Sequence, residues 1–125
     1  MKKDFLLKKA EAFLEDAQYD IKTKKWFLAA FHLEQTCQLY LKYYLFLKLR
    51  RFPKTYSLKD LLEGIGKAYK KEKEVQKFIK ENADVIGNLE QAYITARYLP
   101  VEFFEEQIKN MEEFTQNLIS FLKNL

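Results

Sequence analysis

Arg97 and Tyr98 stand side by side near the end of a helical stretch, and their side chains suit phosphate and base recognition. A guanidinium grips a phosphate through two parallel hydrogen bonds, which an ammonium does less well. A phenol ring offers a face for stacking. Each also has a plainer role. Arg97 would satisfy the free carbonyls of a helix end or pair with Glu90 or Glu102, and Tyr98 would pack against the second helix. A second polar group, Glu34, Gln35, Gln38 and Lys42, interrupts an otherwise apolar stretch. Its carboxylate and amides suit either a hydrogen-bonded interface network or the wall of a ligand cleft. Lys42 either neutralises a phosphate or carries its ammonium to solvent along an apolar stem.

Catalytic chemistry is hard to build from the rest. Proton transfer near neutral pH most often uses histidine, and the one histidine, His32, is distant in sequence from Arg97 and reads as a partly buried packing residue. Gly64-x-Gly66 lacks the preceding strand and the spacing of a phosphate loop. The acidic runs around Glu11–Glu15 and Glu102–Glu106 lack the Glu-x-x-His partners of a di-iron bundle. Cys37 is the only cysteine, which excludes an internal disulfide and a thiolate-rich metal site, and it reads as a small buried hydrophobe. No catalytic residue, metal or cofactor is assigned, and the chain is expected to bind rather than to catalyse.

The elements that must position these residues are helical. Leu6, Ala10, Phe13, Leu14, Ala17 and Ile21 recur at three- and four-residue spacing, predicting a first helix from about Lys3 to Lys22 with Glu11, Glu15, Asp16 and Asp20 on its other faces. Lys22-Thr23-Lys24-Lys25 allows a tight reversal into a second helix, Trp26 to about Leu49. That helix is apolar on more than one side, so it needs cover on more than one side, and a second subunit is one source of it. Pro53 marks the main loop, and Ser57 caps a third helix ending near Lys70. A fourth helix is predicted from about Glu74 to Tyr98, with a kink or break allowed at Asn82-Ala83, and Pro100 ends it. A fifth runs from about Val101 to Lys123. The expectation is an all-α, up-and-down antiparallel bundle of four to five helices forming one domain over residues 1–125.

Composition is consistent with this. The 125 residues contain only three Gly and two Pro, and 48% are hydrophobic, enough apolar surface to offset the ordering of the chain. The formal net charge of +4 is modest, with Lys and Glu alternating along the helices as on solvated faces. Only Lys48-Leu49-Arg50-Arg51 with Lys54 is locally basic, and a helix C-terminus favours such charges in any case. No signal-peptide core stands at the N-terminus, and no apolar run approaches the roughly 18 residues of a membrane span. A cytoplasmic location without membrane contact is expected.

Trp26-Phe27-Leu28-Ala29-Ala30-Phe31-His32-Leu33-Glu34-Gln35 with Gln38 and Leu41-Lys42 is similar to the pattern W..A.F..EQ..E..LK, and it resembles the second helix of the HEPN domain family. Thr55-Tyr56-Ser57-Leu58 with Leu61 and Leu62 resembles the family's T-H-S/D-L..L, and Ala96-Arg97-Tyr98-Leu99-Pro100 resembles its A-R-Y-x-P ending. The resemblance implies a four- or five-helix bundle that commonly dimerises. It implies either a ribonuclease, often a toxin, built on R-x4–6-H, or a binding module that pairs with a nucleotidyltransferase encoded beside it. No histidine follows Arg97, position 56 is Tyr where His is frequent, and 35 and 38 are amides where Glu is common. The expected role is therefore a non-catalytic, dimeric nucleotide- or substrate-binding module with a nucleotidyltransferase partner. Arg97, Tyr98 and Lys42 are its candidate nucleotide or phosphate contacts, and Glu34, Gln35 and Gln38 its polar cleft. The alternatives are an RNA-cleaving toxin or RNA-binding protein using Arg97, Tyr98 and His32, and a purely structural dimer.

Overall fold

The computed structural model describes residues 2–98 and 102–125, without the side chains of residues 2, 3, 96 and 97. Its described residues form six helices and no strand: α1 Lys2–Lys22, α2 Trp26–Leu49, α3 Leu58–Tyr69, α4 Glu72–Glu81, α5 Ala83–Tyr98 and α6 Glu105–Lys123. The all-α bundle is as expected, with one helix more because the predicted fourth helix is two. At the break, the Asn82 side-chain amide donates to the Phe78 carbonyl at 2.8 Å, and its backbone N–H is shared between Phe78 and Ile79 carbonyls, both at 3.2 Å. An asparagine that bonds its own backbone competes with helix continuation. Asn82 then supplies the first acceptor of α5, to Ile86 N at 3.0 Å.

The second helix spans the predicted residues because both ends carry a stop. Lys24 (φ 62°) turns the chain in the left-handed region after α1, and Arg50 (φ 63°) does so after α2, its N–H returning to Phe46 O. α3 ends in the same way at Lys70 (φ 56°). Gly66 lets α4 approach α3, since a Cβ there would stand 3.3 Å from Glu72 Cα and Val75 Cβ. α6 begins at Glu105 rather than near Val101, a residue outside those described. Glu102–Phe104 are not helical, so Phe103 is buried while Phe104 stays exposed, and the Gln107 side chain accepts the Phe104 N–H at 2.9 Å.

α2 is the central helix, packed by α1, α3, α5 and α6, with α4 laid on α3. Ala30, Leu33, Cys37, Leu41 and Leu45 are fully buried. One buried cluster joins them to Ala10 and Ala17 of α1, Leu61 and Ile65 of α3, Leu89 of α5, and Met111 and Leu118 of α6. The apolar excess of α2 therefore finds most of its cover within its own chain, and the helix does not require a second subunit for it. Large apolar side chains stand exposed elsewhere, notably Ile94 and Tyr98 on α5, Phe104, and Phe27 at the start of α2.

Candidate functional site

Glu34, Gln38 and Lys42 follow one another at four-residue spacing and share an edge of α2. Glu34 is fully buried, and an unpaired carboxylate there would be costly. Both its oxygens are held: Gln35 Nε2 donates to Oε1 at 2.8 Å and Gln38 Nε2 to Oε2 at 2.5 Å. Lys42 is half-buried. Desolvation pulls its ammonium below the usual lysine range, and the negative charge of Glu34 pulls it partly back. The ammonium sits over two aromatic faces, 5.6 Å from the Phe52 centroid and 5.3 Å from that of Tyr56, a cation–π geometry. Lys42 thus neither reaches freely into solvent nor stands bare in a cleft.

The Tyr56 ring joins this edge to α5, stacking on Tyr93 with centroids 5.0 Å apart and planes 22° from parallel, yet it remains 57% exposed. The next residue fixes the register. Ser57 Oγ accepts from Asp60 N at 3.2 Å, capping α3, and donates to Glu90 Oε2 at 2.9 Å. The same carboxylate oxygen accepts Lys59 N at 3.3 Å. The start of α3 is thereby tied to α5 by a hydrogen bond and a ring stack one turn apart. Arg97 lies one turn beyond Tyr93 on α5, and its side chain falls outside the described residues.

Two expectations are corrected. Tyr98 does not pack against α2; it is 76% exposed at the end of α5. Asp20, placed off the apolar stripe of α1, is nonetheless buried. It holds the lone histidine: His32 Nδ1 donates to Asp20 Oδ2 at 2.5 Å, with the ring between Phe13 and Phe31 at 5.7 and 5.6 Å. His32 is partly buried, as expected. It faces α1, and Glu34 lies two residues on, roughly 200° around the helix axis. The structure therefore brings Glu34, Gln35, Gln38 and Lys42 together and directs His32 away from them.

Phe52, Glu90 and Tyr93 complete the site and were not singled out as functional by sequence. Phe52 read as loop because Pro53 follows it, Tyr93 as one more residue in the register of a core stripe, and Glu90 only as a partner for Arg97. The usable signal was Thr55-Tyr56-Ser57-Leu58, which sets an aromatic ring directly before the α3 cap. Chemically, the arrangement offers a half-buried cation, an exposed ring and two amides, one of them buried, which suits an anion with a planar part. Among the described residues no cluster of His, Cys, Asp or Glu could hold a metal ion, and no helix is long and apolar enough to cross a membrane.

The family model described as HEPN domain matches residues 4–125 of the chain. No curated protein and no solved structure gives a significant match.

Proposed function

The chain belongs to the HEPN domain family, and on that premise we propose that it is a non-catalytic binding module for a nucleotide or related phosphorylated substrate, which dimerises and serves a separately encoded nucleotidyltransferase. Membership points to nucleotide- or RNA-related function. One observation carries the finer reading: the collar of Phe52 and Tyr56 around Lys42, beside the Glu34 network, while the only histidine is bound to Asp20 on the α1 side. Phosphate would meet Lys42 and Arg97, and a base would pack against the exposed part of the Tyr56 ring. Without an imidazole there, the surroundings of Lys42 have no group that ordinarily exchanges protons near pH 7.

Dimerisation is assigned to α5 rather than α2. Gly87, Gln91, Ile94 and Tyr98 follow at spacings of four, three and four, all exposed, and a Cβ on Gly87 would meet nothing within 4 Å. Two copies of this stripe packed about a two-fold axis would cover Ile94 and Tyr98 and bring the two Arg97 positions near a shared groove. Light scattering should give a dimer at micromolar concentration and a monomer for Ile94→Asp; a monomeric native chain would contradict the arrangement.

The functional test is equilibrium binding of ATP and other nucleotides to the native chain and to Lys42→Ala, Tyr56→Ala and Arg97→Ala, together with co-purification of the neighbour-encoded nucleotidyltransferase. Loss of nucleotide binding in all three variants supports the reading. Binding unaffected by any of them, or no association with the transferase, counts against it. The exposure of Tyr98 favours a second reading, an RNA-binding or RNA-cleaving protein using Arg97, Tyr98 and His32. RNA cleavage by the purified chain that disappears in Arg97→Ala would establish that reading instead. A purely structural dimer would lose stability but no ligand in Arg97→Ala.

A further inference from the structure

Beyond the Phe52 ring from Lys42, a hollow of about 530 Å³ opens between the C-terminal parts of α2 and α3, within the roughly 300–1,000 Å³ usual for small-molecule sites. Its walls are two parallel pairs, Leu45 and Leu49 one turn apart on α2, and Gly64 and Ala68 one turn apart on α3. Phe52 closes one end, and Arg51 and Lys67 stand at the rim. No carboxylate lines the hollow, and among the described residues neither cation is ion-paired. Leu49 and Phe52 remain 44% and 37% exposed at its mouth.

Gly64 has no backbone reason to be glycine. Its φ is not positive, and a Cβ there would touch only the Leu45 side chain, Cδ2 at 3.5 Å and Cδ1 at 3.8 Å, ordinary contacts. Within a helix it is destabilising relative to alanine. Gly66, two residues on, is explained by the close approach of α4. What glycine at 64 does provide is space, since any longer side chain would fill the slot between the leucines.

We propose that this hollow binds a small carboxylate with an apolar chain, the chain lying between Leu45, Leu49 and Gly64 and the carboxylate held by Arg51 and Lys67. The two cations also oppose the C-terminal dipoles of α2 and α3. That role explains their sign, but it explains neither the apolar slot between them nor the glycine that keeps it open. A guanidinium and an ammonium flanking one opening supply complementary hydrogen-bond donors for one carboxylate.

The test is a ¹H–¹⁵N NMR titration of the full chain with sodium octanoate, and separately with octan-1-ol and octyltrimethylammonium, all below micelle formation. Octanoate should give saturable shifts centred on the amides of Leu45, Leu49, Gly64 and Ala68. Gly64→Met should abolish them while melting no lower than the native chain, because it fills the slot and removes a helix glycine. Arg51→Gln with Lys67→Gln should weaken octanoate roughly tenfold and leave octan-1-ol unchanged. Absence of saturation, equal affinity for the cationic amphiphile, or binding that persists in Gly64→Met would overturn the proposal.

Discussion

Raising the pH should unfold this protein partly through one thiol, and removing that thiol should reverse part of the effect. Cys37 is fully buried on the inner side of α2, its Sγ 3.4 Å from Thr115 Oγ1. Burial pushes its pKa from 9.0 up to about 12, with the Thr115 hydrogen bond pulling it back and the Glu34 charge adding to it. The folded chain therefore keeps the proton in a range where the unfolded chain has lost it. The unfolded state binds fewer protons, so stability falls as pH rises, from 9.0 toward the folded value. The limiting slope is about 1.4 kcal/mol per pH unit, which gives a loss of about 2 kcal/mol by about pH 10.5. That is a visible fraction of the roughly 5–15 kcal/mol typical of a domain. Tyr40, Tyr44 and Tyr69, also raised chiefly by burial, add their own losses above about pH 10. Cys37→Ala isolates the thiol. It should cost about 1 kcal/mol near pH 8 from lost packing and become the more stable form by about 1 kcal/mol near pH 10.5. Urea unfolding followed by circular dichroism at several pH values reads both curves. Curves that stay parallel would show that the thiol ionises in the folded chain, and that α2 is not enclosed by its own neighbours.

Three further outcomes are expected. Glu34→Ala strands the buried Gln38 amide and unties the half-buried Gln35, and should cost about 2–4 kcal/mol in urea unfolding, where a change below about 0.5 kcal/mol would show the network to be dispensable. Ser57→Ala removes both the α3 cap and the bond to Glu90, and should cost about 1–2 kcal/mol with increased amide exchange at the start of α3; unchanged exchange there would refute the capping role. Lys24→Gly and Lys70→Gly relieve a side chain held in the left-handed region and should each raise thermal stability by about 0.5–1 kcal/mol, so a lower melting temperature for both would contradict their backbone assignment.

Helix positions were legible where hydrophobic spacing and stop signals agreed. Trp26 to Leu49 was readable from both ends because a lysine-rich reversal precedes it and Arg50-Arg51-Phe52-Pro53 follows. The break at Asn82 was visible only as an option, since Val75, Phe78, Ile79, Val85 and Ile86 keep one register on either side of it. The packing of four helices around α2 was not legible, because an all-round apolar helix looks the same whether its cover comes from its own chain or another. In the site, Glu34, Gln38 and Lys42 stood out as polar interruptions, and four-residue spacing placed them together. Asp20 did not, because an acid on an amphipathic helix reads as solvent-facing until its histidine partner, twelve residues away, is brought across the α1–α2 turn. Phe52 was hidden by its loop, where no periodicity indicates which way a ring points.

Phe52 has a consequence of its own. It closes the hollow above Leu45 and also forms half the collar around the Lys42 ammonium. A ring shared between the hollow and the Lys42 collar makes binding at the two places thermodynamically linked whenever seating a molecule at one displaces it. The effect must be reciprocal: the factor by which an occupant of the hollow alters affinity at Lys42 equals the factor by which a ligand at Lys42 alters affinity for that occupant. With both ligands in hand, a thermodynamic box of four titrations measures that factor, and Phe52→Leu should bring it toward unity.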